Sequence, residues 1–145
     1  MILENEQATA RLGAALAARA RAGDVIALSG PLGVGKTALA RGFLAALGHE
    51  GEVPSPSFAI VQPYEQLDPP VWHVDLYRIE EAGELAELGL ESIRDNGVLL
   101  VEWPERAGAD PWPDALRLDL QVEPGGARRL TAKVPGAWKE RWPIR

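Results

Sequence analysis

Hydrophobic and polar positions along the chain follow two periods. In residues 5–22, Ala8, Leu12, Ala15, Leu16 and Arg19 recur at three-and-four spacing among many alanines, which predicts an amphipathic helix ended by Gly23. Asp24 to Leu28 (DVIAL) is a short apolar run of the kind that forms a strand buried on both faces. A glycine-rich stretch follows, and residues 36–47 return to a helical pattern that Gly48 stops. Strands are predicted over 58–64 and 71–77. In the second, Trp72, Val74 and Leu76 fall on one face and His73, Asp75 and Tyr77 on the other. Residues 80–88 read as a helix, 92–96 as one further turn, and 97–101 (GVLLV) as a second apolar strand. Leu116, Leu118, Leu120 and Val122 then alternate with polar residues, and an EPGGA turn leads into 128–134, a hairpin with one buried face. Two buried strands mixed with helices and hairpins indicate an α/β domain with a mixed central β-sheet flanked by helices.

Composition fits that picture. The chain has 145 residues, 46% of them hydrophobic and 25% charged, which suits one soluble domain spanning 1–145. A chain of this size buries about 68–70% of its unfolded surface, so it needs no covalent staples. With no cysteine, disulfides, thiolate metal sites and cysteine nucleophiles are excluded. The net charge of -6 argues against an unaided grip on a nucleic-acid backbone. No secretory leader and no run of 18 apolar residues is apparent, so a cytoplasmic location is expected. Only three of the 15 basic residues are lysines: Lys36, Lys133 and Lys139.

Lys36 belongs to Gly30-Pro31-Leu32-Gly33-Val34-Gly35-Lys36-Thr37, which satisfies G-x-x-x-x-G-K-[ST]. Glycines allow successive N–H groups to turn inward around phosphates, and the helix that follows points its positive end at them. Lys36 would reach the β- and γ-phosphates, and Thr37 would ligate magnesium. The motif falls directly between an apolar strand and an amphipathic helix, as the mechanism demands. A second strand should bring an acid to the metal, and Glu102 stands at the end of GVLLVEW. Asp75 ends the other alternating strand. The two acids could divide metal ligation and water positioning between them, and the spacing does not assign the parts. No N-K-x-D guanine reader and no L-S-G-G-Q transporter signature is present, so ATP is favoured over GTP.

Further motifs follow the phosphate loop in order: Val53-Pro54-Ser55-Pro56-Ser57-Phe58, His73-Val74-Asp75-Leu76-Tyr77-Arg78 and Val101-Glu102-Trp103-Pro104-Glu105. With the R-G-F-L-x-A-L-G ending of the helix after the loop and an E-L-x-E-L-G-L segment, they resemble the bacterial TsaE family over nearly the whole chain. The resemblance implies a P-loop ATPase required for threonylcarbamoyladenosine in tRNAs that read codons starting with A. It would work with TsaB and TsaD, and tRNA would be met only through that complex. It implies that residues 33–38, including Gly33, Val34, Gly35, Lys36, Thr37 and Ala38, meet the nucleotide, with magnesium on Thr37 and Glu102. The loop from Ser55 to Ser57 resembles a switch that senses the γ-phosphate, although the family commonly carries Thr at Ser57. Thr9 and Arg129 match family positions near the nucleotide, with Arg128 an equal candidate, and Trp103 could pack against the nucleotide or simply cap the core. The expected catalytic set is Lys36, Asp75 and Glu102. His73 could act as an acid or base but is read chiefly as a structural hydrogen-bonding residue, Arg78 as a charge stabiliser, a partner contact or half of a helix salt bridge, and Trp112, Trp138 and Trp142 as packing residues or interface anchors. A nucleotide-sensing module and a small-molecule kinase are the competing functions.

Overall fold

The β-branched and leucine-rich runs of the chain form the middle of a sheet, and the glycine-punctuated segments between them form its connections. A computed structural model describes residues 1–31, 33–53, 61–80, 87–107 and 112–142. Strands β1 (Ile2–Leu3), β2 (Val25–Ser29), β3 (Val61–Tyr64), β4 (Val71–Asp75), β5 (Val98–Glu102), β6 (Leu116–Val122) and β7 (Arg128–Lys133) make one sheet in the order β1-β7-β6-β2-β5-β4-β3. β2 runs parallel to β5 and β6, and β4 runs parallel to β5, while β3, β7 and β1 join antiparallel at the flanks. The expected α/β domain with a mixed sheet is thus observed. The register pairs Leu28 with Glu102 and Asp75 with Glu102, so the carboxyl ends of β2, β5 and β4 finish level.

Helices α1 (Glu6–Ala17) and α2 (Lys36–Ala46) cover one face of the sheet. Leu12, Leu16, Leu39, Phe43 and Leu44 pack there against Ile26, Leu28, Leu100, Leu116, Leu118 and Leu120. Phe43 is completely enclosed, and truncating such a ring to alanine costs about 3–5 kcal/mol. The two helices approach closely because small residues face each other. A Cβ on Gly13 would lie 2.1 Å from the Leu39 carbonyl oxygen, and one on Gly42 would lie 2.1 Å from that of Ala10. Val25, Ala27, Val74, Leu76, Leu99 and Val101 point to the opposite face and pack with Ile79, Leu90 from α3 (Leu90–Arg94), Ala107 and Trp112.

Several boundaries differ from the sequence expectation. α1 ends at Ala17 rather than near residue 22. Beyond it, Arg141 Nη1 donates to the Arg19 carbonyl and the Arg21 N–H donates to Asp24 Oδ2, so groups that a longer helix would use internally are taken by other partners. β4 stops at Asp75, whose Oδ1 accepts the Tyr77 N–H and bends the chain. The turn expected over 92–96 is α3, two residues earlier, and β1 was not anticipated. Much of the helix expected over 80–88 and the start of the strand expected from 58 lie outside the described residues. Trp112 and Trp138 are buried packing residues, and Trp142 is partly buried against the core that holds Trp138.

After β7, a short 3-10 turn (Gly136–Trp138) folds the chain back beneath α1. Arg141 grips Asp24 there with two hydrogen bonds, Nη1 to Oδ2 at 2.7 Å and Nη2 to Oδ1 at 3.0 Å. Its guanidinium lies 3.9 Å from the centroid of the Trp138 ring.

Candidate nucleotide site

The site begins with the backbone of the loop between β2 and α2. Gly35, the residue before α2, has φ 112°, a left-handed conformation that costs glycine nothing and a side-chain-bearing residue a good deal. It leaves the first N–H groups of α2, which have no partner within the helix, at the floor of a cavity of about 460 Å³. That volume is in the range of small-molecule sites. Gly33, Val34, Lys36, Thr37 and Ala38 line the same floor.

Charge converges on it. Lys36 is only 4% exposed, and its Nζ donates to the Gly30 carbonyl at 2.7 Å. Burial lowers the Lys36 pKa below its ordinary value, and Glu102, Asp75 and Glu105 act in the opposite sense by favouring the ammonium. The ammonium also sits 3.6 Å from the centroid of the Trp103 ring, a cation–π contact. Trp103 has φ 60°, rare for so bulky a residue, and this strain aims the ring back over Lys36 immediately after the β5 strand. Tyr77 packs on Trp103 with centroids 4.9 Å apart.

Asp75 and Glu102, paired across β4 and β5, bring two buried carboxylates to one wall. Burial raises the Asp75 pKa, an effect reduced chiefly by its bond from the Tyr77 N–H. Glu102 Oε2 is 2.6 Å from His73 Nε2. Since a carboxylate only accepts, the ring nitrogen is the donor.

The cavity therefore brings together Thr9, Gly33, Val34, Gly35, Lys36, Thr37, Ala38, Asp75, Glu102 and Trp103. Ser57 and its loop lie outside the described residues. The two arginines left open by the sequence separate. Arg128 lines the cavity and donates from Nε to the Val34 carbonyl at 2.8 Å, whereas Arg129 projects elsewhere, is 60% exposed and pairs with Glu123 at 2.5 Å. Neighbouring strand residues point to opposite faces, so only one of the two could reach the cavity. His73 and Asp75, on the polar face of 71–77, are both buried.

Sequence reasoning missed Asn5, Glu6, Arg41, Tyr77 and Gly126 in the cavity wall. Asn5 carried a usable signal, since it caps α1 by accepting the Ala8 N–H at 2.8 Å. Its place beside the phosphate loop follows only from the close crossing of α1 and α2. Glu6 and Arg41 pair across those helices at 3.3 Å.

A family model described as threonylcarbamoyl adenosine biosynthesis protein TsaE matches residues 3–130. The chain belongs to the TsaE family. The tRNA threonylcarbamoyladenosine biosynthesis protein TsaE of Streptomyces coelicolor is 39% identical over 138 residues, covering 90% of this chain and 91% of the relative. The TsaE of Bacillus subtilis is 42% identical over 100 residues, covering 68% of this chain and 62% of the relative. Among solved structures, the crystal structure of Bacillus subtilis YdiB superposes with a TM-score of 0.82 at 28% identity, covering 97% of this chain and 88% of that one. The TsaE match ends before the 3-10 turn and Arg141, so Arg141 lies past the matched region while its partner Asp24 lies within it.

Proposed function

We propose that this chain is a single-domain, cytoplasmic ATPase that supports threonylcarbamoyladenosine formation on tRNA by hydrolysing ATP while docked on TsaB and TsaD. The observation that carries the reading is the convergence of a buried lysine, the start of α2 and two buried carboxylates on one cavity. Family membership supplies the pathway.

The donor set suits a triphosphate with magnesium. Thr37 and Glu102 offer the hard oxygens that magnesium prefers. Among the described residues no three His, Cys, Asp or Glu side chains cluster as a metal cage. An ion bound there would take one or two protein oxygens and complete its shell with phosphate and water. Magnesium bound there would neutralise charge developing on the phosphate oxygens. The N–H groups at the start of α2 hold the phosphates, with the helix dipole favouring negative charge. Lys36 exchanges its bond to the Gly30 carbonyl for a phosphate oxygen. Asp75, kept in one orientation by the Tyr77 N–H, accepts a hydrogen bond from the attacking water and positions it. Little covalent chemistry falls to the protein, and positioning with electrostatics supplies the catalysis.

The net charge of -6 disfavours direct tRNA binding, so the tRNA is met through the complex. Among the described residues no helix is long and apolar enough to cross a membrane. The test is ATP hydrolysis by the purified chain with and without TsaB and TsaD. Turnover should be weak alone and rise when both are added, and an unchanged rate would overturn partner activation. Lys36→Ala should lower turnover by at least about 100-fold, and retained turnover would remove the phosphate-loop assignment. Glu102→Ala separates hydrolysis from sensing: if it binds ATP and both partners and tRNA modification persists, binding alone is the function.

A further inference from the structure

Glu102 is held from behind. His73 on β4 pairs in register with Leu100, and Asp75 pairs with Glu102, which makes His73 and Glu102 diagonal neighbours on one face of the sheet. Diagonal neighbours are within reach of each other when both side chains are long. The ring closes that gap with a 2.6 Å bond from Nε2 to Glu102 Oε2. His73 is fully buried and the Glu102 side chain is 5% exposed. Among the described residues, Nδ1 has no hydrogen-bond partner.

This is a poor arrangement for a residue that only fills space. A leucine would occupy the volume without a buried, unsatisfied nitrogen, and polar groups enclosed without partners are costly. What the imidazole provides is direction. A glutamate has three rotatable side-chain bonds, and a donor fixed on one carboxylate oxygen selects how the other is presented.

We infer that His73 is a positioning residue: by donating Nε2–H to Glu102 Oε2 it sets the carboxylate so that Oε1 is offered to magnesium. The inference rests on the proposed reading of Glu102 as a magnesium ligand. Groups that orient a ligand from behind typically change metal affinity by about 10–100-fold when removed. The ring acts through Glu102, since His73 itself is not part of the cavity wall.

The test uses calorimetric titration of the full chain with the non-hydrolysable ATP analogue AMP-PNP, in EDTA and at stepped magnesium concentrations. His73→Leu keeps the volume and removes the donor. His73→Gln places an amide nitrogen near the ε position, and His73→Asn places it near the δ position. In EDTA, His73→Leu should bind the analogue within about twofold of wild type, while the magnesium needed to tighten binding rises by about 10–100-fold. kcat should fall, with KM for ATP at saturating magnesium unchanged. His73→Gln should restore the magnesium requirement to within about threefold, and His73→Asn should behave like His73→Leu. Should His73→Leu fail to fold by circular dichroism, the glutamine–asparagine difference decides. A wild-type magnesium requirement in His73→Leu and His73→Asn overturns the inference. So does an equal loss with and without magnesium, which is what a purely structural role gives. Glu102→Ala in the same titration separates the two levels. If it abolishes the magnesium effect while His73→Leu leaves it intact, only the positioning role falls. If wild type itself ignores magnesium, the ligand reading of Glu102 falls first.

Discussion

Replacing Arg141 by methionine should destabilise the fold substantially while leaving the candidate nucleotide cavity intact. Arg141 makes two hydrogen bonds to Asp24 and one each to the carbonyls of Arg19 and Ala137. The side chains of the pair are 9% and 10% exposed. Methionine retains most of the stem over Trp138, so the packing loss is small. What changes is that the Asp24 carboxylate keeps only the Arg21 N–H, at 2.7 Å, and loses its opposing charge. Removing one partner of a buried pair costs about 3–5 kcal/mol. The unfolding entropy is about 2.1 cal/mol/K per residue, or about 0.3 kcal/mol/K for 145 residues, so Tm should drop by roughly 10–16 °C. Differential scanning calorimetry measures this directly. Asp24→Asn removes the stranded charge, so the double variant should recover at least about 1.5 kcal/mol relative to the sum of the single changes. The side chain is not part of the cavity wall, so KM for ATP at 20 °C should be unchanged. A Tm shift below about 3 °C, or strict additivity of the two substitutions, would refute the reasoning.

Two further predictions concern the site. Burial raises the Asp75 pKa above its ordinary value of 3.8, so the folded state holds its proton to higher pH than the unfolded chain. Stability is therefore lost as pH rises through that window, and Asp75→Asn, which keeps an acceptor for the Tyr77 N–H, should be more stable than wild type at pH 7.5. Urea midpoints should show the advantage shrinking toward pH 4, and a variant less stable at both pH values would contradict it. Gly42→Ala gains about 1 kcal/mol of helix propensity but forces α2 away from the Ala10 carbonyl of α1, for a net loss of about 1–2 kcal/mol. Because α1 carries Asn5, Glu6 and Thr9, ATP affinity should weaken with it. Gly136→Ala, where a Cβ meets nothing within 4 Å, is the neutral control in both measurements.

The strands that flank the phosphate loop were legible because their side chains obey local rules. The apolar runs of β2 and β5 sit within a residue of the expected bounds, and the alternation of β6 places Leu116, Leu118 and Leu120 inward. Gly35, Lys36 and Thr37 were legible because their spacing encodes one backbone shape. Other features depend on residues far apart in the chain. The early end of α1 is set in part by Arg141, 122 positions beyond the Arg19 carbonyl it captures. The choice of Arg128 over Arg129 depends on which face of β7 turns toward Val34, and the partner of His73 is 29 residues away on another strand. β1 is two residues long and offers no period at all, and only its pairing with Arg128 and Arg129 makes it a strand.

The strand order also bears on how the protein emerges from a ribosome. β2 delivers the phosphate loop, yet both its neighbours, β5 and β6, come from far later in the chain. At translation speeds of about 5–20 residues per second, the 73 residues between Ser29 and Glu102 take about 4–15 s to add. Throughout that interval the most apolar strand of the site has neither edge paired. α1 and α2 can meet early through Gly13 and Gly42, so during synthesis they are its natural shelter against aggregation.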